Sequence, residues 1–188
     1  MPEIGAKDIP AQVEFAKVHR IDYAVVAPDD PLALGAVDAL TEAGVPCFGP
    51  DKKAAVIEAS KAFSKDLMKK YGIPTAKYEL FTDADAACAY IDSQGARVVI
   101  EEFMEGPEVS VLSFTDGETV VPMVSSMDHK CALDGDKGPN TGGMGTIAPN
   151  PCYTEKIAAE CMETIFLPTI RAMKAEGRPF KLSLIHIS

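Results

Sequence analysis

From Asp128 to Pro151 the chain reads Asp-His-Lys-Cys-Ala-Leu-Asp-Gly-Asp-Lys-Gly-Pro-Asn-Thr-Gly-Gly-Met-Gly-Thr-Ile-Ala-Pro-Asn-Pro, a sequence that no packed helix or strand needs. Asp128, His129, Lys130, Asp134, Asp136 and Lys137 precede Gly138, Gly142, Gly143 and Gly145. Charges of both signs beside uncovered backbone N–H groups suit a charged, oxygen-rich small molecule. A solvated Gly/Asp/Asn/Pro surface loop is the competing reading, and these residues alone leave both open. His129 could act as a base, but a lone histidine more often bonds locally, so no proton transfer is assigned to it.

A second cluster is Val99-Ile100-Glu101-Glu102-Phe103-Met104-Glu105-Gly106-Pro107-Glu108. Alternation along a strand puts Glu101 and Glu102 on opposite faces, and the turn at 105–107 brings Glu108 to the same edge. An extended hinge of this kind offers backbone C=O and N–H to an adenine edge. Phe103 or Met104 would pack the base, and Glu108 could accept from ribose hydroxyls. An amphipathic strand with solvated glutamates is the alternative. Two further groups are weaker signals. Asp29 and Asp30 follow a short apolar run, at the strand end where α/β sheets bind ligands, yet turn chemistry and helix capping are the first explanation of such acids. Lys61, Lys65, Lys69 and Lys70 read first as a solvated helix face.

These residues need a frame. Asp8 is a candidate N-cap for a helix over residues 8–20, and Tyr23 to Ala27 reads as a buried strand closed by a turn at Pro28-Asp29-Asp30-Pro31. Leu32 to Ala43 returns to helical period and stops at Gly44, before a short strand at 45–49. Helix, strand, helix, strand implies a parallel α/β sheet. Residues 51–71 read as helical, with Ser60 capping a second helix that carries Ala62, Phe63, Leu67 and Met68 inward. Tyr78 to Phe81 and Val98 to Phe103 read as strands, Asp83 to Ile91 as a helix, and 109–114 with 119–124 as an antiparallel pair around Asp116-Gly117. Residues 153–177 make a long helix. With 188 residues, 47% of them hydrophobic, the chain can bury a core of one or two domains. A net charge of −10 without basic blocks disfavours nucleic acid, so anionic ligands must be met by local cations. No window is apolar enough to span a membrane, and the N-terminus carries no export pattern. Five scattered cysteines without a Cys-x-x-Cys pair imply reduced thiols and a cytoplasmic protein.

The run Asp128-His129-Lys130, then Asp134-Gly135-Asp136-x-Gly138-Pro139-Asn140-Thr141-Gly142-Gly143-Met144-Gly145, resembles the signature loop of the phosphoribosylamine–glycine ligases, members of the ATP-grasp superfamily. Phe48-Gly49-Pro50, Glu58-x-Ser60-Lys61-x-Phe63, Gly72-Ile73-Pro74-Thr75-Ala76-x-Tyr78 and the 99–108 block follow the same family in order. The resemblance implies an α/β chain: an incomplete N-terminal parallel-sheet domain over residues 1–50, an incomplete ATP-grasp domain over 51–181, and a tail, 182–188, foreign to the family. The implied chemistry joins glycine to 5-phosphoribosylamine in purine synthesis, through a glycyl phosphate and with release of ADP and phosphate. ATP and Mg²⁺ (or Mn²⁺) are the implied cofactors. Lys61 would approach the nucleotide phosphates, and Glu101, Glu102, Phe103, Met104 and Glu108 would hold the nucleoside. Asp128 and Lys130 would act at the reacting groups. Asp29, Asn140, Thr141, Gly142 and Gly143 would hold the acceptor substrates.

The chain also departs from that family. An N-terminal glycine-rich turn is expected but not present, and Gln94 runs straight into Gly95 where the family carries a Gly- and Lys-containing phosphate loop with flanking strands. Resemblance is expected to stop at Lys181, before the Mg²⁺ ligands, and Cys131 replaces a usual arginine. The chain as written is therefore expected to be inactive, or to be a non-catalytic nucleotide-binding fragment. Another ATP-grasp carboxylate–amine ligase is the remaining alternative.

Overall fold

The computed structural model describes residues 4–79, 83–94, 106–135, 137–181 and 183–184. Helix α1 spans Ile9–Val18, and the Asp8 carboxylate caps it by accepting from the Ala11 N–H at 3.1 Å. Strand β1, Ala24–Val25, leads into α2, Asp29–Leu34, and α3, Ala36–Glu42, before β2, Cys47–Phe48. β1 and β2 pair in parallel, Ala24 opposite Cys47 and Val25 opposite Phe48, so the expected alternating α/β unit forms. Its central helix is two helices. Gly35 adopts φ +94° and donates to the carbonyls of Pro31 and Leu32, which ends α2 and turns the chain into α3. The expected turn at 28–31 is likewise the first turn of α2, where Asp29 and Asp30 complement the helix N-terminus. Gly49 closes this unit tightly, since a Cβ there would lie 2.8 Å from Val37 Cγ2 and 3.1 Å from the Val26 carbonyl.

Helix α4 is Lys52–Ala59, and α5 is Lys61–Tyr71. Ser60 ends the first and caps the second, its Oγ accepting from the Phe63 N–H at 3.2 Å. Leu67 is buried and Phe63 and Met68 half-buried. Ala62 is exposed, contrary to expectation, because it lies off the 63–67–71 row that faces the core. Tyr78 is a bridge residue; the rest of its expected strand and the strand expected at 98–103 lie outside the described residues. Helix α6, Ala84–Gln94, begins after Asp83, whose carboxylate accepts from the Ala86 N–H. Strands β3, Ser113–Thr115, and β4, Val120–Pro122, form the expected antiparallel pair, with the Asp116 carboxylate accepting from the N–H groups of Glu118 and Thr119.

Residues 127–147, expected as a loop, contain four short strands: β5 Met127–Asp128, β6 Cys131–Leu133, β7 Lys137–Asn140 and β8 Thr146–Ile147. The long C-terminal helix runs as α7, Glu155–Cys161, a π-helical stretch, Met162–Phe166, and α8, Leu167–Ala175. Pro168 cannot donate to a carbonyl one turn back, which accounts for the widened turns before it. Strand β9, Ser183–Leu184, pairs with β3. One core unites these elements: Leu32, Val37 and Leu40 from α2 and α3, Ala54, Ala55 and Ile57 from α4, Leu67 from α5, Ile170 and Met173 from α8, and Phe180. All five cysteines are free, and among the described residues no helix is long and apolar enough to cross a membrane.

Candidate functional site

The 127–147 segment is a hairpin with its glycines looped out at one point. Met127 and Asp128 pair with Ile147 and Thr146, and the His129 N–H reaches the Gly145 carbonyl at 2.9 Å. Cys131, however, faces Asn140. Residues 141–144 therefore stand opposite Lys130 alone, a bulge in which Gly143 takes a positive φ that few other residues adopt. The Thr141 N–H donates to the Lys130 carbonyl at 2.6 Å, and the Met144 N–H to the His129 carbonyl at 2.8 Å. Thr141 Oγ1 accepts from the Gly143 N–H at 3.1 Å. Gly143, at φ +112°, passes so near Asp128 that an added Cβ would lie 3.1 Å from its Oδ1. The Gly142-Gly143 backbone is thus held against a carboxylate and next to Lys130.

Lys130 donates to Glu108 Oε1 in an ion pair whose side chains keep 34% and 22% of their exposure. Glu108 holds the Lys130 ammonium above the ordinary lysine range, with a smaller contribution from Asp128. Thr146 Oγ1 in turn donates to Asp128 Oδ1 at 3.3 Å. Glu108, Asp128, Lys130, Thr141 and Gly143 are therefore brought together, while Asn140 flanks them in β7. His129 turns its backbone, rather than an assigned proton-transfer role, to this arrangement.

Other expected residues sit apart or outside the description. Asp29 lies in the first turn of α2, and its electrostatic neighbour is Glu58 of α4, whose carboxyl is pushed up by desolvation and then by Asp29. Lys61 opens α5 and is exposed. Glu101, Glu102, Phe103 and Met104 lie outside the described residues, and with them the expected convergence of Lys61 on the hinge. Among the described residues no group of three or more His, Cys, Asp or Glu side chains is arranged to hold a metal.

Sequence reasoning passed over Asn150. Its side chain is buried, its Nδ2 donates to the carbonyls of Glu108 at 3.0 Å and Ser126 at 3.3 Å, and its Oδ1 accepts from the Cys152 N–H at 2.8 Å. The only local signal was an asparagine between two prolines, which reads as turn chemistry.

The family model for the phosphoribosylglycinamide synthetase N domain matches residues 1–58, and that for the ATP-grasp (A) domain of the same synthetase matches residues 59–97 and 93–186. The second match comes in two pieces that meet around Gln94, where an internal gap is expected, and it runs past Lys181. A phosphoribosylamine–glycine ligase of Vibrio vulnificus is 41% identical over 219 aligned residues, covering 94% of this chain and 51% of the relative. One from Halalkalibacterium halodurans is 39% identical over the same shares. The chain spans about half the length of the curated relatives it matches, and the 219 aligned positions exceed its own 188 residues. A solved phosphoribosylamine–glycine ligase from Thermotoga maritima superposes with a TM-score of 0.68 at 26% identity, covering 86% of this chain and 49% of that one. The biotin carboxylase domain of a Hydrogenobacter thermophilus carboxylase shares the fold at a TM-score of 0.69 and 14% identity, covering 100% of this chain and 54% of that one.

Proposed function

The chain belongs to the phosphoribosylamine–glycine ligase family of ATP-grasp α/β proteins, and from that premise we propose that it carries the acceptor side of a site joining glycine to 5-phosphoribosylamine at the expense of ATP. The observation that supports this is the cluster of Lys130, Glu108 and Asp128 against the Thr141-Gly142-Gly143 bulge. A single ammonium flanked by two carboxylates beside the glycine bulge matches a small zwitterion: the amino group of glycine to a carboxylate, its carboxylate to Lys130. ATP is the phosphoryl donor that activates the glycine carboxylate as an acyl phosphate. The amine of the sugar phosphate then forms the C–N bond and phosphate leaves.

Within that chemistry Lys130 offsets negative charge at the acceptor carboxylate, and Asp128 orients the ammonium end. Glu108 holds Lys130 between the two halves of the site and accepts from a ribose hydroxyl. Lys61 and residues 101–104 complete the nucleotide side. Mg²⁺ is the family's cation, and among the described residues no three His, Cys, Asp or Glu side chains are arranged to hold it. The substrates are small molecules, and a cytoplasmic setting fits such a biosynthetic role.

A second reading concerns this chain as it stands. The split A-domain match and the surplus of aligned positions favour a chain that binds its small ligands but turns over little product. Amide chemical-shift mapping tests the site: glycine and ATP, added separately, should shift signals of Asp128, Lys130 and Thr141 to Gly143, and Lys130→Met should weaken the glycine response about tenfold or more. Shifts confined to residues elsewhere would overturn the assignment.

A further inference from the structure

The face that Glu108 shares with Asp128 and Lys130 depends on a one-residue slip in strand register. β3 pairs with β4 so that Ser113 faces Pro122, and the Met123 N–H continues that register to the Leu112 carbonyl at 2.7 Å. One step further Ser110 faces Ser126, with N–H to carbonyl bonds of 2.8 Å in both directions. Val124 and Ser125 therefore stand opposite Val111 alone, which is a β-bulge. Side chains directly opposed in an antiparallel pair share a face and alternate from there. Beyond the bulge, Glu108 falls on the face of Ser126, Asp128 and Lys130. Without it, Glu108 would stand opposite Met127 and share its face with His129.

Asn150 is bonded to both sides of this slip. Its backbone N–H donates to the Ser125 carbonyl at 3.1 Å and to Ser125 Oγ at 3.2 Å, satisfying the buried residue that the slip takes out of the ladder. Its Nδ2 spans the carbonyls of Ser126 and Glu108, one on each strand. The Cys152 N–H can only donate, which fixes the amide with Oδ1 toward it and Nδ2 toward the two carbonyls.

We propose that Asn150 is a positioning residue of the acceptor site: it pins the Val124–Ser125 bulge and so puts Asp128 and Lys130, rather than Met127 and His129, on the face of Glu108. The importance of that face rests on the proposed ligase reading, whereas the register can be read without any ligand. Asn150→Asp keeps the acceptor for Cys152 and turns an oxygen toward the two carbonyls that Nδ2 had bonded. In the full chain, this variant should bring the NMR titration of the Lys130 ammonium down toward ordinary lysine. It should also speed amide exchange at Ser110 and Ser126 about tenfold or more, while Phe114 and Val121 in the β3–β4 pair stay as protected as before. Glu108→Gln should lower the Lys130 titration without the change in exchange. A folded Asn150→Asp chain with the Lys130 titration unchanged, or with the whole sheet loosened evenly, would overturn the proposal. If Asn150→Asp does not fold, Asn150→Ser is judged by the same two readouts. Failure of both to fold would make Asn150 a fold residue and sink the positioning role. Since no substrate is added, a failed ligase assignment would show instead in the glycine and ATP shifts.

Discussion

Lys130 is the residue on which most of the proposed chemistry turns. The chain carries a net charge of −10, so an anionic ligand meets general repulsion that only local cations relieve. Lys130→Met should weaken glycine binding about tenfold or more, measured by the same amide shifts, since a charge-assisted bond is lost. The Glu108 pair also leaves a pH signature. A lysine held above its unfolded value lends stability that is complete below the ordinary lysine range and disappears as pH climbs through the raised value. Urea midpoints followed into alkali should therefore fall less steeply in Lys130→Met than in the parent; parallel curves would remove the pair from the stability balance. At Glu58 the charged form is the disfavoured one. Desolvation and Asp29 raise its carboxyl, so its charged form opposes folding above the ordinary carboxylate range, and stability should recover as acid protonates it. Glu58→Gln should stabilise the chain at neutral pH by roughly 0.5 kcal/mol after solvent screening, and flatten that acid-side gain.

Elements differ in how far local sequence determines them. The caps at Asp8 and Ser60, the stop at Gly44 and the turn at Asp116-Gly117 are legible because each is a short-range bond between neighbours in the chain. Gly35 was passed over because helical period continues on both sides of it, while its backbone leaves the helix. The strands of 127–147 were invisible for another reason: Lys137-Gly138-Pro139-Asn140 has no strand propensity, and its pairing is set by partners across the hairpin. The Val124–Ser125 bulge and the part Asn150 plays in it share that long-range origin. The Phe48-Gly49-Pro50 run, by contrast, gains a packing explanation. Gly49→Ala should cost about 1–3 kcal/mol of stability through the clash with Val37 and the Val26 carbonyl, and unaltered thermal unfolding would refute that. Ser60→Ala should cost about 1 kcal/mol by uncapping α5 ahead of Lys61.

For the whole molecule, family membership and a retained core coexist with an open apolar face. Val25 is 66% exposed, Val121 58% and Phe114 47%, and the Phe48 and Phe114 rings, 6.2 Å apart, link the β1–β2 pair to the β3–β4 hairpin. An apolar face of this kind favours association, so sedimentation should reveal concentration-dependent species that Val121→Lys reduces; a monodisperse parent at high concentration would contradict this. On the proposed reading, a ligase acceptor site meets an incomplete set of groups around the phosphoryl group. Electrostatic elements at a transferring phosphoryl are each worth about two to three orders of magnitude in rate, so their losses compound. The most direct measurement is ADP release dependent on both glycine and 5-phosphoribosylamine. It should be run on this chain, on a version carrying the family's segment between Gln94 and Gly95 with the family's remaining sequence, and on that version with Lys130→Met. Little or no turnover by the chain as it stands, turnover by the completed version and its loss with Lys130→Met are the expected results. Robust turnover by the 188-residue chain, or a completed version indifferent to Lys130, would contradict them.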